Sequence, residues 1–280
     1  MWTRLRNHFP EYVMEATLLG CFMISACAFA TMLYHPASPV SQSVRGEGTR
    51  RALMGIAMGL TAVGLIHSPW GKQSGAHMNP AVTLTFYRLG KIASVDAIAY
   101  VAAQFSGAIL GVLISYAAIG EPVAHRSVNF VVTLPGPHGS AVAFVAEAVM
   151  AFGMMALVLT MSNRPALARY TGVGAGCLVA LYIAIEAPLS GMSINPARSM
   201  GSAVVGGVWS AIWIYLTAPI VGMALAAEFY VRLPWIRATA CAKLHHQNTK
   251  RCIFCEYAEE RQGTTVRCTE TQPNSIYAKG

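Results

Sequence analysis

Apolar residues dominate six long stretches of the chain, at about 12–33, 52–67, 95–119, 141–161, 170–187 and 208–231, and polar residues collect between them. About 20 residues of helix span the roughly 30 Å hydrocarbon core of a bilayer, which is the scale of these stretches. Backbone amides inside lipid must find partners within their own segment, so each stretch is predicted to be a helix.

Two shorter stretches break the pattern. Ser74-Gly75-Ala76-His77-Met78-Asn79-Pro80-Ala81 follows the second span, and Ser190-Gly191-Met192-Ser193-Ile194-Asn195-Pro196-Ala197-Arg198 follows the fifth. Each is Ser-Gly, three variable residues, then Asn-Pro-Ala. Asn caps free amides and Pro suits the first helical position, so each motif predicts a helix start. The helices that follow, at about 79–88 and 195–205, are too short to cross a bilayer.

Three spans and one half-helix thus form a repeat, 1–125, which recurs as 126–236 with Asn79 and Asn195 116 positions apart. An odd number of spans turns the second copy upside down. The two Asn-Pro-Ala loops therefore enter from opposite faces and meet near the midplane. Irregular backbone at that depth is tolerated only inside protein or beside a wet cavity. The predicted class is an all-α membrane protein of six transmembrane helices and two re-entrant half-helices.

Composition agrees. Only 11% of the 280 residues are charged, less than half the soluble average of about 25%. The net charge of +8 is not a nucleic-acid signal, because eight of the twenty basic residues lie in the tail from Arg232 and most others sit at span ends. Arg4, Arg6, Lys72, Arg88, Lys91, Arg164, Arg169 and the tail fall on one side, against Arg45, Arg50, Arg51 and Arg126 on the other. The bias places both termini in the cytoplasm of a cell-membrane protein. Glu11 and Glu15 interrupt the first apolar run, which argues for a retained span rather than a cleaved leader. Gly55 and Gly59, Gly107 and Gly111, and Gly172 and Gly176 have the spacing for close helix crossings.

From residue 237 to 280 the chain is polar and lacks a sustained helical face, which predicts a partly disordered cytoplasmic appendage. It carries Cys241, His245, His246, Cys252, Cys255 and Cys268. Cys252-Ile253-Phe254-Cys255 with nearby His suits zinc or a redox pair, but the spacing matches no common finger. The expectation is an incidental tail with no metal site.

A half-helix N-terminus carries roughly half a positive charge. Two of them aimed at one midplane point repel cations, and the amides of Asn79 and Asn195 donate to the same point. A water held there by two donors turns both hydrogens away and passes no proton. The geometry implies passage of water or another small neutral molecule with ions excluded. Arg198, two residues after the second Pro, is expensive at that depth unless it faces a watery cavity.

Two Asn-Pro-Ala motifs, Arg198 after the second, and six spans over residues 10–232 resemble the major intrinsic protein family, the aquaporins and aquaglyceroporins. The resemblance implies a right-handed bundle with one pore per subunit, four like subunits together, no cofactor and no enzymatic activity. It implies a pore midplane of Asn79, Pro80, Ala81, Asn195, Pro196 and Ala197. It also implies that Glu15 and Glu147 accept hydrogen bonds from the re-entrant loops, with His77 and Gln104 in supporting positions. The family's narrow filter would combine Arg198 and Met192 with Ile183 of span five and Met58, or else Gly59, of span two. Water-selective members usually place His where Ile183 stands. Glycerol channels usually place Asp where Ser199 stands, and Tyr215-Leu216 lacks the Trp of water channels. These positions point both ways between water and solutes such as glycerol, urea, ammonia or peroxide. Beyond these and the lipid bilayer no partner is implied, and no nucleic acid. A membrane enzyme lacks paired acids or a nucleophile motif, and an ion-coupled transporter lacks a midplane acid. A non-conducting scaffold remains open.

Overall fold

The computed structural model describes residues 1–233 and 239–262. Six helices among them are long and apolar enough to cross a membrane. They are α1 (Trp2–Tyr34), α2 (Glu47–His67), α4 (Ser94–Ile119), α5 (Gly139–Ser162), α6 (Thr171–Ile185, which a 3-10 turn at Ala168–Tyr170 lengthens) and α8 (Ile212–Arg232); among the shorter helices between them are the half-helices α3 (Pro80–Arg88) and α7 (Pro196–Gly206). A further helix, α9 (Ile253–Gln262), lies in the tail. The first span is longer than the apolar pattern, because its N-terminal turns carry Arg4, His8 and Glu11 out of the apolar zone. The last starts later than expected, since Gly207 and Ala211 take left-handed backbone and bend the chain before Ile212.

The packing repeats. Helix α1 lies along α4 and α5 along α8, while α2 and α6 cross between the pairs. Half-helix α7 seats on α4, and half-helix α3 on α8 of the opposite repeat. Small residues set these distances. A Cβ on Gly111 would sit 2.5 Å from the Gly20 carbonyl oxygen, one on Gly59 equally close to that of Gly176, and one on Gly222 would collide with the Ala148 carbonyl. Side chains there would push the helices apart, so backbones touch and dispersion holds the bundle.

Outward faces stay apolar: Leu60, Ile98, Val149 and Ile185 are among the exposed large side chains. In water such a surface would aggregate; against lipid it is the expected solvent face. The protein is an integral, multi-pass membrane protein. Both Trp2 and α9 lie on one end of the bundle, called here the terminal face; Tyr34 and Glu47 mark the opposite face.

The tail departs from the expected loose appendage. Residues 239–262 fold back onto the terminal face, with Cys241, Ala242, Lys243, Leu244, Ile253, Phe254 and Cys255 buried. The apolar side chains are clustered by a turn rather than by helical spacing, so no periodic pattern announces them. Cys268 lies outside the described residues.

Candidate functional site

Asn79 and Asn195 do two things each. The Oδ1 of Asn79 accepts from the Ala81 amide at 2.9 Å, and that of Asn195 from the amides of Ala197 at 3.1 Å and Arg198 at 3.3 Å. These bonds satisfy N–H groups that a helix start leaves free. The amide nitrogens reach across. Asn79 Nδ2 donates to the Ile194 carbonyl at 2.8 Å, and Asn195 Nδ2 to the Met78 carbonyl at 2.7 Å. The two half-helices are thus tied tip to tip. Each amide group has two N–H bonds, and one on each side is left after the tie.

A buried carboxylate fixes each loop. Glu15 accepts from Ser74 Oγ (2.8 Å), the amides of His77 (3.0 Å) and Met78 (2.7 Å), and Gln104 Nε2 (3.0 Å). Glu147 accepts from Ser190 Oγ (2.8 Å) and the amides of Ser193 (2.7 Å) and Ile194 (2.6 Å). The bonded loops are contorted. Gly75 and Gly191 take φ of 102° and 81°, and Ala76, Met78, Met192 and Ile194 are also left-handed. A side chain rarely accepts that conformation, so the carboxylates hold strain in place. Tyrosines complete the frame: Tyr100 and Tyr215 donate to the carbonyls of Ser74 (2.7 Å) and Ser190 (2.6 Å). The sequence reading missed both tyrosines and both serines. The serines had a signal, the repeated Ser-Gly opening; the tyrosines, on distant helices, had none.

A cavity of about 320 Å³ follows this seam. Its lining extends from Tyr34, Arg51 and Ser127 at the opposite face, past Arg198, to Asn79 and Asn195, and on to Ile66, His77 and Leu244 at the terminal face. The matching protein-family model, described as Major intrinsic protein, spans residues 2–230. The chain belongs to the major intrinsic protein family.

Related proteins agree. A probable aquaporin, AqpM, of Archaeoglobus fulgidus is 30% identical over 201 residues, 69% of this chain and 81% of its own length. A glycerol uptake facilitator-like protein 6 of Lactiplantibacillus plantarum is 33% identical over 185 residues, 64% of this chain and 77% of its own. The fold matches that of the Plasmodium falciparum aquaglyceroporin with a TM-score of 0.68 at 20% identity, over 81% of this chain and 96% of that one. Members of the major intrinsic protein family are channels, not enzymes.

Within this major intrinsic protein, Met58, Ile183, Met192 and Arg198 all line the same cavity as Asn79 and Asn195. Gly59, the other candidate, instead faces the backbone of Gly176. Arg198 is held by the Val131 carbonyl, to which its Nη1 donates at 2.7 Å. Pro80, Ala81, Pro196 and Ala197 are buried in the first turns of the half-helices.

His77 does more than brace a loop. Its Nδ1 meets Thr83 Oγ1 at 3.0 Å, as Ser193 Oγ meets Ser199 Oγ at 2.5 Å in the second repeat. Ser193 reaches no further outward, but His77 has a second nitrogen. Nε2 meets the Ala242 carbonyl at 2.7 Å. A carbonyl only accepts, so Nε2 carries the proton and Nδ1 accepts from Thr83. Two residues on, Leu244 N–H donates to the Gly75 carbonyl at 3.1 Å. The tail therefore bonds to the re-entrant loop itself, and its Leu244 lines the cavity.

Proposed function

We propose that this chain is a passive channel for water that excludes ions and protons, in a cell membrane with both termini cytoplasmic and four like subunits together. The observation that carries the reading is the reciprocal tie of Asn79 and Asn195 beside the cavity, which leaves one N–H of each amide free to bond a molecule inside it. Two half-helix N-termini converge there, and their partial positive charge disfavours cations. A water that accepts from both asparagines directs its hydrogens outward, so the proton relay breaks at that point. The basic residues on the terminal face support the cytoplasmic assignment.

A second reading is favoured by one feature. Met58, Ile183 and Met192 line the same cavity as Arg198 and offer it an apolar wall, suited to a molecule with one polar and one apolar edge. The likeness to a glycerol uptake facilitator supports small neutral solutes beside water.

Stopped-flow light scattering on proteoliposomes tests both readings, using the full chain and a Leu244→Gly variant that removes the tail side chain lining the cavity. Osmotic shrinkage well above empty liposomes in the variant, with no proton current, is the expected result. Shrinkage no faster than empty liposomes in both proteins would leave only a scaffold role. A panel of glycerol, urea and hydrogen peroxide decides which solutes accompany water.

A further inference from the structure

Four side chains of the tail converge on one point. Cys241 Sγ lies 3.4 Å from Cys252 Sγ and 3.9 Å from Cys255 Sγ, and His246 Nε2 lies 3.1 Å from Cys255 Sγ. All four ligand atoms fall within 4.8 Å of one another. A tetrahedral zinc site with Zn–S of about 2.3 Å has edges of about 3.8 Å between its sulfurs, which is the scale of this cluster. The set is Cys3His, and soft thiolates with one imidazole select zinc over hard cations. Cys252 directly precedes α9 and Cys255 lies in its first turn, with the Cys255 N–H donating to the Cys252 carbonyl at 3.1 Å.

The surroundings match the charge of such a site. A divalent ion with three thiolates and a neutral imidazole leaves one net negative charge. Lys243 is buried beside it, its Nζ donating to the carbonyls of Arg251 (2.8 Å) and Lys250 (3.3 Å). A buried ammonium needs a nearby anion, and no carboxylate forms an ion pair with it among the described residues.

The cluster also sits where it can act on the channel. Cys241 precedes Ala242, which accepts from His77, and Leu244, which lines the cavity, lies between Cys241 and His246. At the other end of the cluster, Phe254 lies between Cys252 and Cys255 and stacks on the His77 ring at 5.3 Å. Bridging these ligands closes one loop around the residues that touch the pore mouth.

We propose that Cys241, His246, Cys252 and Cys255 bind a zinc ion, and that this ion clasps the tail over the terminal-face mouth, so that loss of the metal opens the channel. The gating half rests on the channel reading above; the metal half does not. Metal binding would favour the folded tail by mass action, since the extended tail holds no preformed site.

The test uses the full chain purified with zinc and without chelators. Elemental analysis is expected to give about one zinc per chain, and cobalt substitution the ligand-field bands of a tetrahedral thiolate site. A Cys252→Ser/Cys255→Ser variant is expected to hold none while keeping the helical circular dichroism of the parent. Wild type with no more zinc than that variant, or a tail mass lower by two hydrogens without metal, would overturn the site and indicate a disulfide instead. Should the variant fail to fold, stripping and reloading zinc on the wild-type protein gives the same reading. In proteoliposomes, stripping is expected to raise water permeability several-fold, towards that of Leu244→Gly, and reloading to reverse it. Zinc bound, Leu244→Gly conducting and no response to stripping would overturn the clasp. Zinc bound with every form silent would count against the channel and leave the metal site standing.

Discussion

The rings of His77 and Phe254 lie face to face, 5.3 Å between centroids and within 4° of parallel, although one belongs to the re-entrant loop and the other to the tail. Phe86 also stacks on His77, at 5.3 Å between centroids. A residue of the channel wall thereby touches both a half-helix and a segment 177 positions away in the chain. Arg251 extends the docking to the N-terminal end of α1 through the Asn7 carbonyl at 2.9 Å, while Arg4 bridges Asp96 and Glu260.

Phe254→Ala is expected to weaken tail docking. Removing a buried Phe costs about 3–5 kcal/mol, and each 1.4 kcal/mol is tenfold in the docked-to-free ratio. Amide exchange across residues 239–262 should speed up by a hundredfold or more while the six spans stay protected. Unchanged exchange would mean the stack contributes little.

Glu147→Gln is expected to loosen the second loop. The amide keeps one acceptor oxygen but turns an NH2 towards the Ser193 or Ile194 N–H, leaving a buried donor unpaired. That costs about 1–3 kcal/mol, and lowered thermal unfolding in detergent is the readout. An unaltered midpoint would show that the carboxylate charge is not needed.

Gly111→Leu is expected to separate α1 from α4. The new side chain meets the Gly20 backbone, which cannot rotate away as a side chain would. Overpacking typically costs about 1–3 kcal/mol, and more where backbone must move. A lower yield of monodisperse protein on size-exclusion chromatography is the outcome to look for; wild-type behaviour would place the contact outside the native packing.

Ile183→Gly is expected to widen the passage that Arg198 also lines. Glycerol uptake, measured in the Leu244→Gly background so that the mouth is open, should rise several-fold over Leu244→Gly alone. Equal uptake would remove Ile183 from the filter.

The six spans, the two half-helices and their inverted relation were legible in the chain because lipid leaves the backbone few options. Apolar length, a capping Asn before Pro, and an odd number of crossings dictate them locally. The loop acids Glu15 and Glu147 follow from the family resemblance rather than from the pattern of residues itself. What sequence could not decide is which partners complete each loop: the Gln104 bond to Glu15 and the bonds of Tyr100 and Tyr215 to the Ser74 and Ser190 carbonyls depend on helices brought alongside by glycine contacts. Nor could it foresee the tail. Residues 239–262 have no periodic face, so their apolar and thiol side chains mean nothing until a turn gathers them. Their resting place on His77 and Gly75 exists only once the re-entrant loop has folded to present a ring nitrogen and a free carbonyl.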